Sequence, residues 1–91
     1  MDHELSEDDR ARITRIVQTH AEVRGLHDLR TRMAGMQPFI QLHLELPGDI
    51  TLDDAHIISD QVEELLLKEF PDAEVIIHQD PEGLNEAIDD F

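Results

Sequence analysis

Six histidines and no cysteine in a chain of 91 residues set the chemistry this sequence can offer. The missing thiols exclude disulfide frameworks, thiolate nucleophiles, CxxC redox motifs and every thiolate metal site. Imidazole and carboxylate remain as donors, and together they suit zinc, ferrous iron, manganese, nickel or cadmium better than cuprous copper. His78 and Asp80 lie two apart, so on an extended chain both project from one side. His43 sits within an alternating run, His56 in the first turn of an expected helix, and His27 at the start of an expected strand. If these four imidazoles and one carboxylate gather at one end of a sheet, they can fill one closed four-ligand zinc site. With a bridging carboxylate they can fill two neighbouring sites. His3, ahead of the first helix, and His20, at the end of an apolar stripe, read as structural residues. No HExxH or other local zinc motif is present, so convergence in the fold has to decide.

Charge narrows the partners. Seven Lys and Arg stand against 22 Asp and Glu, a net charge of −15. That field repels nucleic acid and anionic headgroups and attracts cations, so nucleic acid is not an expected partner. With 40% hydrophobic and 32% charged residues, the composition is that of a folded domain rather than a disordered acidic chain. No apolar run reaches the length needed to span a bilayer and no signal peptide opens the chain, so as it stands it is expected to be soluble.

The elements that must position the donors follow from periodicity. Ser6, followed by Glu7, Asp8 and Asp9, is a helix start, and Ile13, Ile16, Val17 and His20 give one apolar stripe. Leu26 to Ala34 reads as a strand entering a turn near Gly35. Phe39 to Leu46 is the clearest strand, with Ile40, Leu42, Leu44 and Leu46 on an aliphatic face and Phe39, Gln41, His43 and Glu45 on a mixed one. Thr51 caps a second helix whose apolar face runs through Ala55, Ile58, Val62, Leu65, Leu66 and Phe70. Glu74 to Gln79 follows as a short strand, and Val75, Ile76 and Ile77, apolar on both faces, place it well inside the sheet. The α-β-β-α-β order predicts an α+β, ferredoxin-like two-layer sandwich: a three-stranded mixed sheet with two helices on one face. The other face, carrying Phe39, Gln41 and His43, is left open, which is a reason to expect a dimer.

The hairpin poses one conflict. A turn centred on Gly35 pairs His27 with His43 but sets Asp28 and Arg30 opposite the buried Leu42 and Ile40. A one-residue shift pairs Leu29 with Leu42 and sends His27 to the other face. A bulge would reconcile the two; otherwise His27 belongs to a separate or weaker site.

Taken in order, His27 to Arg32, Phe39 to Glu45, Ala55-His56, Phe70-Pro71 and Val75 to Pro81 resemble the C-terminal cytoplasmic domain of the cation diffusion facilitators. The resemblance covers about Asp2 to Pro81. It implies a metallochaperone-like fold, a homodimer, and zinc bound at the interface between two copies. By matched position it implies His27, His43, His56, His78 and Asp80 as metal ligands, with Asp80 bridging two ions and Gln79 standing behind them. It also implies a preceding transmembrane domain in the same polypeptide, which carries out proton-coupled efflux, and it puts this segment on the cytoplasmic side of a bacterial inner membrane. Asp2 then lies at the junction with that domain. The segment from Glu82 to Phe91 matches nothing in the family and reads as an acidic, flexible tail.

The function expected from these readings is a zinc-binding, dimerising regulatory domain of a divalent-cation efflux transporter, in which metal at the interface stabilises the closed dimer. Fe2+, Cd2+, Mn2+ and Ni2+ are accepted by the same donors. The alternative is a soluble metallochaperone-like carrier, although such carriers usually present a cysteine pair. A metal-dependent hydrolase would need a carboxylate base and a pocket beside the cluster, and the sequence offers neither.

Overall fold

The computed structural model describes residues 3–83. Asp2 and the tail from Leu84 onward, with the roles expected of them, fall outside the described residues. The chain runs α1 (Glu7–Gln18), β1 (Gly25–Ala34), β2 (Gln37–Leu46), α2 (Leu52–Glu69) and β3 (Glu74–Pro81). Both helices start where expected. Ser6 Oγ accepts the Asp9 N–H at 3.1 Å and Thr51 Oγ1 accepts the Asp54 N–H at 3.0 Å, satisfying amides that a helix cannot bond internally.

The sheet order is β1-β2-β3, with β1 antiparallel and β3 parallel to β2. Parallel pairing of β2 and β3 requires the long connection that α2 supplies. Ile40, Leu42, Leu44 and Leu46 of β2 are buried beneath Ile13 and Val17 of α1 and Ala55, Ile58, Val62 and Leu66 of α2. One central strand thus supplies the floor of the whole core.

β3 corrects an expectation. It is an edge strand, not an interior one, and Ile76 is 46% exposed on the open face while Val75 and Ile77 pack toward the helices. An apolar run on both faces arises here because the open face is itself partly apolar, not because a further strand flanks it. His20 also falls past the end of α1, which closes at Gln18.

The N-terminal segment is tied to the outer edge of β1. Met33 donates its N–H to the His3 carbonyl at 2.7 Å, and the buried Thr31 Oγ1 accepts from Leu5 N–H at 3.3 Å and Arg10 Nη1 at 3.1 Å. Among the described residues no helix is long and apolar enough to cross a membrane.

Because β2 carries the core, Leu44→Ala, at a fully buried position, is expected to cost about 2–5 kcal/mol of stability. Leu52→Ala, at a site 87% exposed, should stay within about 0.5 kcal/mol. Urea denaturation midpoints measure both.

Candidate metal centre

The two-residue period of a strand, read across the registers, lines up the site. His27 pairs with His43 and His43 with His78, so three strands place three imidazoles in one row on the face that the helices leave open. The rings stack in sequence: His27 on His43 with centroids 5.0 Å apart, and His43 on His78 at 4.7 Å. The next row holds Gly25, Glu45 and Asp80.

A bulge makes this alignment possible. From Ala34 back to Arg30 the hairpin keeps one register around the turn at Gly35 and Met36; beyond it, from His27 to Gly25, the register shifts by one. Asp28 absorbs the extra residue with φ 53°, in the left-handed region that aspartate enters more readily than most residues. Leu26 and Leu29 therefore both pack toward the core while His27 stays on the open face. This settles the conflict in the hairpin and places His27 beside His43.

His27 Nε2 lies 3.3 Å and His43 Nδ1 2.9 Å from the same oxygen, Asp80 Oδ2. One ligand atom from each of the three residues lies within 4.8 Å of the others, and no other such group occurs among the described residues. Zinc bonds of about 2.0–2.2 Å at tetrahedral angles imply ligand atoms roughly 3.3–3.6 Å apart, and the two nitrogen-to-Asp80 distances, 3.3 and 2.9 Å, lie close to that spacing. The side chains are 20–28% exposed, sheltered enough to strengthen electrostatic interaction yet open to solvent for entry.

Each ring has a second carboxylate on its far side. Glu45 Oε2 is 3.0 Å from His27 Nδ1. A carboxylate accepts, so the hydrogen bond to Glu45 uses a proton on Nδ1, and Nε2 is the ring nitrogen turned toward Asp80. Asp80 Oδ2 faces His27 Nε2 at 3.3 Å and is hydrogen-bonded by His43 Nδ1 at 2.9 Å, so the two rings and the carboxylate enclose one space suited to a cation. Asp28 Oδ2 lies 3.8 Å from His43 Nε2, brought there by the bulge. The Arg30 Nε–H donates to Asp28 Oδ1 at 3.0 Å, and this hydrogen bond, helped by the Arg30 charge and the nearby His43 and His27, holds the Asp28 carboxyl below its ordinary pKa against the opposing effect of desolvation.

Of the sequence-predicted ligands, the structure brings together His27, His43 and Asp80, with the His78 ring stacked beside them. His56 stands outside the trio, exposed on α2, its Nε2 3.5 Å from Asp60 Oδ2. His20 is satisfied at both nitrogens, Nε2 toward Gln61 Oε1 at 2.6 Å and Nδ1 accepting the Glu22 N–H, and His3 is exposed, its backbone paired with Met33. Glu45 and Asp28 were not singled out from the sequence. The available signals were Glu45 two residues past His43, and the Leu26-to-Leu29 spacing that breaks alternation.

A family model described as cation efflux protein, cytoplasmic domain, matches residues 5–82. Protein p34 of Rickettsia rickettsii (strain Sheila Smith) is 50% identical over 88 residues, covering 97% of this chain and 29% of that protein. The cation-efflux pump FieF of Shewanella oneidensis is 54% identical over 81 residues, covering 89% of this chain and 27% of that protein. The chain thus spans less than a third of the length of these curated relatives. The zinc form of CzrB, studied as a candidate zinc transporter, matches with a TM-score of 0.82 and 35% identity over 91% of this chain and 96% of that one.

A lowered Asp28 pKa favours the folded state above the unfolded pKa, and that contribution is lost as pH falls through the folded value. Arg30→Met is therefore expected to move the Asp28 titration upward toward the ordinary carboxylate range. The stability difference between the two proteins should close in acid. Carboxyl 13C shifts against pH, with denaturation midpoints, check both.

Proposed function

The chain belongs to the family of cation efflux protein cytoplasmic domains, and from that premise we propose that it is the metal-binding, dimerising regulatory domain of a divalent-cation efflux transporter. Zinc is the principal ion, and a transmembrane domain in the same polypeptide carries out the transport. The observation that supports this reading most directly is the convergence of His27, His43 and Asp80 on the open sheet face, with His27 Nε2 and His43 Nδ1 both turned to Asp80 Oδ2.

Three ligands leave a zinc ion short of its usual four. His78, stacked on His43, is one further donor within the chain. His56 is 73% exposed on α2 and outside the trio, which makes it available to a second copy. Ligands drawn from two copies turn the ion into a linkage ligand: metal that binds the closed dimer better than the open one shifts the equilibrium by its differential affinity. An ion at 100 times its dissociation constant contributes about 2.7 kcal/mol in this way. Each copy carries −15, so two copies repel until cations offset part of the charge. Asp80 Oδ2 serves the trio, and in this reading the second carboxylate oxygen of Asp80 reaches a neighbouring ion.

Calorimetric titration with zinc, paired with native mass spectrometry, tests the site. The wild-type chain is expected to bind zinc and Asp80→Ala to bind fewer ions; unchanged stoichiometry would refute the bridge. Small-angle scattering tests the linkage. Zinc should compact the dimer and a chelator should reverse this, whereas His56→Ala should keep zinc binding by the trio but lose the compaction. A wild-type profile indifferent to zinc and chelator would sink the regulatory reading.

A further inference from the structure

The His27 ring is held between two carboxylates, and only one of them belongs to the trio. Glu45 stands on β2 directly across from Gly25, and its side chain reaches His27 Nδ1 at 3.0 Å, while Asp80 faces Nε2 at 3.3 Å. Both members of the Glu45–His27 pair are sheltered, with side chains 27% and 20% exposed. The absent side chain at Gly25 is part of the arrangement. A Cβ there would already lie 3.5 Å from Glu45 Oε2, so anything larger than alanine would compete with the carboxylate for this space.

We propose that Glu45 is a positioning residue for the metal centre: it accepts the Nδ1–H of His27, fixing the tautomer and ring plane in which Nε2 presents its lone pair to the space shared with His43 Nδ1 and Asp80. The proposal rests on the metal-binding reading above and adds a residue that contacts no ion. A carboxylate on the far nitrogen of a ligating imidazole makes the ring a stronger donor and removes the cost of selecting one tautomer and one rotamer when the ion arrives. His27 needs this more than its neighbour does. It lies at the start of β1, one residue from a bulge whose pivot has φ 53°, where the backbone alone constrains the ring least. His43 is held by β2, paired on both sides, and by stacking against both neighbouring rings.

Zinc titration of the wild type, Glu45→Ala and Glu45→Gln, with long-range 1H–15N spectra of the zinc-loaded forms, tests the idea. The amide oxygen of Gln can still accept the Nδ1–H; Ala cannot. Glu45→Ala is expected to lose roughly 10–100-fold in zinc affinity with the number of ions unchanged, and to lose the slowly exchanging His27 Nδ1 proton. Glu45→Gln should retain that proton and recover most of the affinity. Glu45→Ala binding zinc as tightly as wild type would overturn the proposal, as would equal losses in the two variants, which would mark a charge effect alone. A wild-type chain that binds no zinc would instead overturn the metal-binding reading itself.

Discussion

Parity along β1 is the constraint on which the rest of the site depends. A strand alternates its side chains between two faces, so a hairpin that keeps one register from its turn sets His27 opposite Leu44, on the face sealed by the helices. An imidazole there would be buried without partners, and the open face would lack one of its converging donors. One extra residue at Asp28 changes the parity, and the change serves both layers at once. Leu26 and Leu29 reach the core, His27 joins His43, and the displaced Asp28 carboxylate swings toward the same ring. The strained φ of that residue is offset by a charge-assisted hydrogen bond from Arg30.

What could be read in advance follows from which interactions are local. Helix starts at Ser6 and Thr51, the aliphatic face of β2 and the same-side placement of His78 and Asp80 all depend on neighbours within four residues, and all were legible. The alignment of β3 with β2 is a contact at a sequence separation of 35, fixed by how α2 packs, and no local pattern specifies it. The placement of β3 inside the sheet failed for a related reason: Val75, Ile76 and Ile77 look alike whether the second face meets another strand or an exposed, partly apolar surface. Asp28 was legible only as a misfit opposite Leu42. That misfit was the trace of the bulge, and it pointed to the residue that resolves it.

The two layers divide their labour by polarity. Apolar burial on one side of β2 holds the strands, and the opposite side is free to carry groups that a core cannot hold, namely three imidazoles and three carboxylates within one small area. Such a concentration of acceptors is unfavourable by itself, and the surplus of acid over the whole chain adds to it. The same excess favours a cation over an anion at this end of the face, since a site already crowded with negative charge gains most when a divalent ion enters. The histidine end of the open face is therefore better suited to a divalent cation than to an anion, while Arg30 and Arg32 line the other end.

The row of histidines crosses all three strands, one from each, and this has a consequence for how the sheet is defined. Sliding β3 by two residues against β2 would keep every apolar side chain facing the helices, so the hydrophobic pattern distinguishes such a slip only weakly. The donor set distinguishes it sharply, because Asp80 would no longer stand between the imidazoles of the other two strands. An ion that takes its ligands from separate strands acts as a gauge of their alignment. It reads a coordinate to which the oily side of the sheet is nearly blind.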